Sequence, residues 1–129
     1  MIAKNRFFDT EDSEAVRLNQ TPGCRVESNK FERVNSGIAV YGSNSGFVVA
    51  KNRIRAGTGE AIRIHCAGCT GSVFRNRVLW AGDDADGIYV FSGPGTNVSN
   101  NTVMAASDDG FEIDGDGMIV TDNKATNFG

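Results

Sequence analysis

Apolar and polar residues alternate along this chain in short segments, and five of these segments follow one pattern. In each segment two apolar residues stand two positions apart, with polar or small residues between them and beside them. This period is typical of β-strands that bury one face. The five segments are EAVRLN, SGIAVY, EAIRIH, DGIYVF and DGFEID, which begin at residues 14, 36, 60, 86 and 109. They predict five strands whose inward positions are Val16/Leu18, Ile38/Val40, Ile62/Ile64, Ile88/Val90 and Phe111/Ile113.

A second pattern is centred on asparagine. Six segments place an aliphatic residue three positions before an Asn and an apolar residue two positions after it: IAKNRF, VESNKF, VAKNRI, VFRNRV, VSNNTV and VTDNKA. The asparagines are Asn5, Asn29, Asn52, Asn76, Asn101 and Asn123, with separations of 24, 23, 24, 25 and 22 residues. Self-similarity at a period of this length indicates a repeat architecture. Each repeat is predicted to hold three short strands, two of them joined by a short turn that contains the Asn.

Such short strands can bury their apolar positions only when one repeat stacks on the next. Equivalent strands then pair in parallel, about 4.8 Å apart per coil. The asparagines are expected to form a column in which each side-chain amide bonds to the next, and Asn suits the turn because it tolerates left-handed backbone. The sequence therefore predicts an all-β parallel β-helix of about five coils of 22–25 residues. A β-sandwich with coincidental spacing is the alternative.

These repeats resemble the right-handed parallel β-helix superfamily, which includes pectate lyases and polygalacturonases. The resemblance covers the chain from Ile2 to its end, and repeats of variable length fit that class better than the hexapeptide period of left-handed helices. It implies a right-handed, single-stranded parallel β-helix over residues 1–129, in which the DGIYVF-type segment is the first strand of each coil. It also implies that active sites lie on the outer face of that strand and in the turn leading into it.

A closer similarity is to polygalacturonases, whose pattern places an Asp-Gly and an Asp-Asp about one coil apart. Asp86-Gly87 and Asp108-Asp109 stand at that separation. This implies catalytic carboxylates at Asp86, Asp108 and Asp109. The leading Asn-Thr and the Gly-His-Gly and Arg-Ile-Lys motifs of that family are absent from this chain.

Composition narrows the possible partners. Thirteen Lys and Arg against sixteen Asp and Glu give a net charge of −3, so the sequence predicts neither a nucleic-acid partner nor a membrane surface. No apolar run approaches the roughly 18–20 residues of a membrane span, and residues 1–5 lack the apolar core of a signal peptide. The chain as given is expected to be soluble, and its compartment stays open. In HCAGC, a single CxxC is a weak zinc signal, so Cys24, Cys66 and Cys69 are interpreted as filling a turn and the core.

The outward positions of the first strands suggest a carbohydrate-binding face. Stacked coils would align Arg17, Ala39, Arg63, Tyr89 and Glu112 in one row and Asn19, Tyr41, His65, Phe91 and Asp114 in the next. Aromatic faces pack against sugar rings, while charged groups fix hydroxyls or a uronate. The predicted substrate-binding residues are Tyr41, Tyr89, Phe91, Glu112 and Asp114.

The Asp-rich turns could carry chemistry. Carboxylates one coil apart should lie roughly 5 Å from each other, compared with about 5–5.5 Å in retaining and 6.5–9.5 Å in inverting glycosidases. Stacked acids repel, and Ca²⁺ would relieve that repulsion. The candidate ligands are Asp83, Asp84, Asp86 and Asp109, with Asp108 beside them. In a lyase-like reaction the ion would neutralise a uronate while Arg63 or His65 takes a proton. The alternative is that these acids only build turns.

Three functions remain open at this point: a hydrolase, lyase or epimerase of a uronate polymer, a glycan-binding module without turnover, and a structural or oligomerising β-helix. No capping helix is predicted at either end of the chain. Uncapped coils expose apolar residues and unpaired strand edges. The chain is then either a fragment of a longer helix or packs end to end with other copies. We expect the second, a homo-oligomer formed through the ends, with a dimer mass of about twice 13.8 kDa.

Overall fold

The computed structural model of the protein describes residues 1–9, 14–42, 45–82 and 84–126. Throughout these ranges the chain is all-β, with no helix, and three parallel sheets stack as a β-solenoid of about five turns with three strands per coil. The predicted fold is thereby confirmed as a parallel β-solenoid. None of the described residues belongs to a helix that could cross a membrane.

Each sheet receives one strand from each successive coil, and every pairing is parallel. Sheet 1 contains β3 (Glu14–Asn19), β6 (Ser36–Tyr41), β9 (Ile62–Cys66), β12 (Ile88–Ser92) and β15 (Phe111–Asp114). Sheet 2 contains β1 (Ile2–Ala3), β4 (Arg25–Glu27), β7 (Phe47–Ala50), β10 (Gly71–Phe74), β13 (Asn97–Ser99) and β16 (Ile119–Thr121). Sheet 3 contains β2 (Arg6–Phe8), β5 (Lys30–Val34), β8 (Arg53–Ala56), β11 (Arg77–Trp80), β14 (Thr102–Val103) and β17 (Lys124–Ala125).

Three turns close each coil. The Asn turn leads from sheet 2 to sheet 3, the acid turn leads from sheet 3 to sheet 1, and the Cys turn leads from sheet 1 to sheet 2. We use these names below for the equivalent turn in every coil.

In-register rows of aliphatic side chains fill the interior. In sheet 2, Val49 pairs with Val73, and Val73 pairs with Val98. All three are fully buried. Sheets 1 and 3 carry similar rows, and the row of sheet 3 ends in the stacked rings of Phe7 and Phe31, with centroids 4.8 Å apart. Burial of apolar surface between coils is therefore the main term that holds the coils together.

The Asn turn contains the predicted asparagine column. The Asn76 Nδ2 donates to the Asn101 Oδ1 at 3.0 Å and to the Val49 carbonyl oxygen at 2.9 Å. Its Oδ1 accepts from both the backbone N–H and the Nδ2 of Asn52, each at 3.0 Å. The same pattern recurs from Asn5 to Asn123. The inner asparagines are buried. A buried polar atom without a hydrogen-bond partner destabilises the fold, so the complete bonding of each amide stabilises this turn.

Asn was predicted in this turn partly because it tolerates left-handed backbone, and this reason is wrong. The left-handed residue is the one before the Asn, for example Lys51 with φ of 57° and Arg75 with φ of 55°. Ser28 and Asp122 occupy the same place in other coils with similar angles. Asparagine is therefore required for its paired donor and acceptor, while several exposed residue types accept the left-handed position beside it.

The exposed side chains of the last coil show that the apolar residues of each coil are buried by the coil stacked on it. Val120 continues the inward row of sheet 2, yet it is 48% exposed, whereas Val98 one coil earlier is fully buried. Its neighbour Ile119 is 52% exposed. No further coil among the described residues covers these side chains.

The three cysteines lie in or against the core. Cys66 and Cys69 are buried in the Cys turn and paired as a disulfide, with Cα atoms 5.5 Å apart. Cys24 is free and partly buried against the same cluster. The burial of Cys66 and Cys69 agrees with the interpretation that they fill a turn and the core, whereas the disulfide between them was not predicted.

Candidate functional site

The outer face of sheet 1 is arranged as the alternation predicted. Arg17 pairs with Ala39, and the row continues through Arg63 and Tyr89 to Glu112. The second row passes from Asn19 through Tyr41, His65 and Phe91 to Asp114. Ala39 is fully covered by its neighbours although it points outward. We call Arg17, Tyr41, Arg63, His65, Tyr89 and Phe91 the aromatic face.

Guanidinium groups lie over two of the rings of the aromatic face. The Arg17 guanidinium carbon is 4.8 Å from the centre of the Tyr41 ring, and that of Arg63 is 5.2 Å from the Tyr89 ring. Both distances are within the range of cation–π attraction. These pairs orient the long arginine side chains along the sheet, so their charges stay close to the rings.

His65 lies at the centre of the aromatic face. Its ring is nearly parallel to that of Tyr89, with centroids 6.1 Å apart, and is tilted against Phe91 at 5.3 Å and Tyr41 at 6.5 Å. His65 itself is exposed, as predicted. Three aromatic side chains and one imidazole therefore form a continuous surface across coils two to four.

Two glutamates at the edge of sheet 1 hold this face in place. The Tyr41 hydroxyl donates to Glu14 at 2.9 Å, and Arg63 bonds to Glu60 at 2.9 Å. Partial burial and the hydrogen bond to Glu14 raise the pKa of Tyr41. Burial alone would raise the pKa of Glu14, but its backbone N–H, the Tyr41 hydroxyl and the nearby arginine charges together lower it. The Arg63 Nε has no acceptor among the described residues.

The acid turns bring three of the predicted carboxylates together. One carboxylate oxygen from each of Asp86, Asp108 and Asp109 lies within 4.8 Å of the others. Asp86 is only 6% exposed, and its Oδ1 accepts from the Asp109 backbone N–H at 3.1 Å. Burial raises the pKa of Asp86 to about 6, and a hydrogen bond with Glu112 and the negative charges of Glu112 and Asp108 add to this shift. A carboxyl in this state can hold a proton in mildly acidic solution.

The remaining predicted site residues are distributed less compactly. Asp84 is not part of the group of three carboxylates, and Asp83 lies outside the described residues. Glu112 bonds to Asp86, so it connects the acid turn to Tyr89, its register neighbour. Asp114 is exposed beside Phe91 at the end of β15. The structure thus joins the aromatic face and the acid turn into one continuous surface.

The group of three carboxylates could supply part of a Ca²⁺ site. Calcium takes six to eight oxygen ligands, and Asp108 and Asp109 are exposed while Asp86 is already engaged with Asp109 and Glu112. The like-charge repulsion that a cation would relieve is reduced when Asp86 is protonated, which its raised pKa of about 6 allows in mildly acidic solution. Any ion bound at this turn would therefore depend mainly on the two exposed carboxylates.

Sequence reasoning missed a cleft at the corner between sheet 3 and the acid turn. It has a volume of about 390 Å³ and is lined by Arg33, Val34, Asn35, Arg55, Ala56, Gly57, Thr58 and Trp80. Trp80 is 38% exposed. The pairing of sheet 3 is irregular between Val78 and Trp80 and between Phe31 and Val34. These bulges open the space over the regular coil between them.

One signal could have revealed this cleft. The first inward residue after the bulge follows its Asn by five positions at Val34 and at Ala81, but by four positions at Ala56. An extra residue in a strand of constant span has to bulge. Counting positions from each Asn would therefore have located the irregular strands.

Comparison with known proteins adds no assignment: no protein-family model matches this chain, and neither a curated protein nor a solved structure matches it.

Proposed function

We propose that this protein is a glycan-binding β-solenoid of the right-handed parallel β-helix type, which binds an acidic polysaccharide through the aromatic face of sheet 1. The observation that carries the proposal is the continuous, partly exposed array of rings and guanidiniums, held in register over successive coils. A rigid parallel sheet presents these groups with little conformational entropy left to lose on binding.

The chemistry of the aromatic face fits a sugar chain that carries carboxylates. Rings such as Tyr89 and Phe91 offer flat apolar surfaces to pyranose rings. Arg63 offers a planar set of donors that suits a carboxylate. Its side chain is partly exposed, and Nη1 is the atom that bonds to Glu60. Asp114 and the nearby acid turn would orient hydroxyl groups at one end of the surface.

Tyr89→Ala is the test of this proposal. We expect the variant to bind oligogalacturonate at least tenfold more weakly than the wild type in isothermal titration calorimetry, because it removes a central ring and the support for Arg63. Phe74→Ala is the matched control, since Phe74 is a partly exposed aromatic residue on sheet 2. Equal affinities for Tyr89→Ala and Phe74→Ala would reject the aromatic face as the binding surface.

A hydrolase, lyase or epimerase is the second candidate, favoured by the raised pKa of Asp86 beside the exposed Asp109. Its weakness is access, because Asp86 is only 6% exposed. Reducing-end and unsaturated-uronide assays on polygalacturonate, with and without Ca²⁺, separate the two functions. Binding without turnover supports the glycan-binding module, whereas turnover that is lost in Asp109→Asn would replace it with the enzyme.

We also propose end-to-end association of two or more copies, in a head-to-tail arrangement. The Asn5 Oδ1 has no donor among the described residues, while the Asn123 backbone N–H and Nδ2 could bond to a further amide. In register, Asp122 would face Lys4, while Lys124 would face Arg6, which has the same charge. In the described ranges, sheet 1 has five strands where sheets 2 and 3 have six, so this stacking leaves one strand position of sheet 1 open between the two copies. Light scattering should give multiples of 13.8 kDa, reduced by Val120→Lys. A concentration-independent monomer would contradict this arrangement.

A further inference from the structure

The outer face of sheet 3 carries a row of cations that no predicted site includes. Arg6 pairs with Lys30, Lys30 with Arg53, and Arg53 with Arg77, so one positive side chain stands on each of four successive coils. With coils about 4.8 Å apart, the row extends about 14 Å along the solenoid. We call these four residues the cation row. Lys51 and Arg75 flank it in the Asn turn.

This positive charge is not neutralised locally at the centre of the row. Among the described residues, Lys51, Arg53, Arg75 and Arg77 form no ion pair, and all four are exposed. Like charges in register on paired strands destabilise a sheet. Thr102 occupies the same row one coil later, so the fold itself accepts a neutral residue there. The repulsion between these cations therefore destabilises the fold. Such a cost is expected on a surface that binds an anionic ligand.

The cleft described above lies beside the cation row. Arg55 pairs with Trp80 across β8 and β11, and both line the cleft with Arg33. The bulges that turn Trp80 outward also place it next to these guanidiniums. The indole ring and the Arg55 guanidinium suit a flat, partly apolar ring that carries a negative group. Arg33 already bonds to Asp9, so Arg55 is the guanidinium of the cleft that would meet the ligand's charge.

We propose that the cation row and the Trp80 cleft form a second binding surface, for a linear acidic polysaccharide that runs along the solenoid axis and places its anionic groups over successive coils. A single-stranded nucleic acid has a similar charge pattern, but its bases require a series of aromatic platforms. On the described part of sheet 3, the exposed aromatic side chains are Trp80 and Phe8, and Phe8 lies on the first coil. The arrangement therefore favours a sugar chain with one ring seated in the cleft.

This surface shares its ligand class with the proposed function but lies on a different sheet, so each can fail without the other. Trp80 is the chain's only tryptophan, and its fluorescence reports on the cleft alone. We expect polygalacturonate to change the Trp80 emission saturably, with an apparent affinity that falls as salt rises from about 20 to 200 mM because screening weakens the contacts. The same titration with Tyr89→Ala should give an unchanged affinity.

The decisive variant is Arg53→Gln/Arg77→Gln, checked for folding by circular dichroism. We expect its fluorescence-detected affinity to fall at least tenfold and its salt dependence to flatten. The charge-matched control is Arg25→Gln/Lys124→Gln, which removes two exposed cations away from the centre of the row and should lose no more than about twofold. Equal losses in the two variants would overturn the proposal. So would tighter binding of single-stranded polythymidylate than of polygalacturonate, or no emission change with polygalacturonate at all.

Discussion

The Asn turn and the acid turn close the same coils on opposite sides of sheet 3, yet they are built in contrasting ways. In the Asn turn each coil repeats one residue, buried at the centre of the column, with its hydrogen bonds made to the coils beside it. In the acid turn successive coils differ in residue type and in length, and the strands leading into it bulge. The residue that repeats in every coil stabilises the solenoid, whereas the candidate sites lie where the coils differ from one another.

The difference follows from the chemistry of the two side chains. A carboxamide carries a donor and an acceptor, so identical asparagines can bond to one another without limit. Ionised carboxylates carry only acceptors and repel one another at the same spacing. In the acid turn Asp86 is buried, where it forms a hydrogen bond with Glu112 and accepts one from the Asp109 backbone N–H. Burial and the neighbouring acids raise the pKa of Asp86. A stack of acids is therefore sensitive to pH where a stack of amides is not.

The largest effect should come from breaking the asparagine column at its centre. Asn76→Ala removes two donations and two acceptances. It leaves the backbone N–H of Asn52 without its partner, takes one donor from the Val49 carbonyl, and leaves the Asn52 Nδ2 with only its bond to the Val26 carbonyl. At roughly 1–3 kcal/mol for an unsatisfied buried group and about 1 kcal/mol for a lost hydrogen bond, we expect the free energy of unfolding to fall by about 2–4 kcal/mol. Urea denaturation followed by circular dichroism measures it.

Asn97→Ala is the control for that experiment. Asn97 lies on sheet 2, and its Oδ1 is buried without a partner among the described residues, so its loss removes no bond through that atom. We expect a change within about 0.5 kcal/mol. Similar costs for the two substitutions would mean that the column contributes no more than any other asparagine.

A smaller effect should separate the acid turn from the Asn turn by pH. The pKa of Asp86 is raised to about 6 in the folded protein from an ordinary value of 3.8. The folded state therefore holds this proton longer than the unfolded state, and Asp86 makes the protein less stable as pH rises from about 4 to 6. Asp86→Asn keeps the acceptor for Asp109 and removes the titration.

We expect this variant to gain about 1 kcal/mol relative to the wild type between pH 4 and pH 7. This value lies below the one that the full pKa difference would give, because the protein and nearby solvent respond to the charge on Asp86 and reduce its cost. Thermal melts at both pH values measure the difference. A constant difference between variant and wild type across this range would show that Asp86 is not the group that titrates.

The sequence predicts a large part of this fold because its repeat is explicit. The period of the asparagines determines which residues pair between coils, so the inward rows and the two outward rows of sheet 1 follow directly. A register set by a buried pattern leaves little freedom, since a shift by one residue would expose every apolar side chain. The alignment of Tyr41, His65 and Phe91 in one row could therefore be predicted from the sequence.

Features that depend on contact between different turns were not predicted. The pairing of Asp86 with Glu112 joins residues of two coils through side-chain geometry that no periodicity encodes. The exposed position of Trp80 depends on a bulge in its strand, which the alternation of apolar and polar residues alone does not show. The cation row was overlooked because an average charge of −3 conceals local segregation of the cations.

The asparagine column also bears on how the molecule comes apart. Each inner amide is secured by the coil above and the coil below, whereas Asn5 and Asn123 are each secured from one side. Coils should then unwind from the two extremities inward, in the manner of a zipper, with the slowest amide hydrogen exchange around Asn52 and Asn76. Damage to one terminal coil would shorten the solenoid, while damage to a middle coil would divide it.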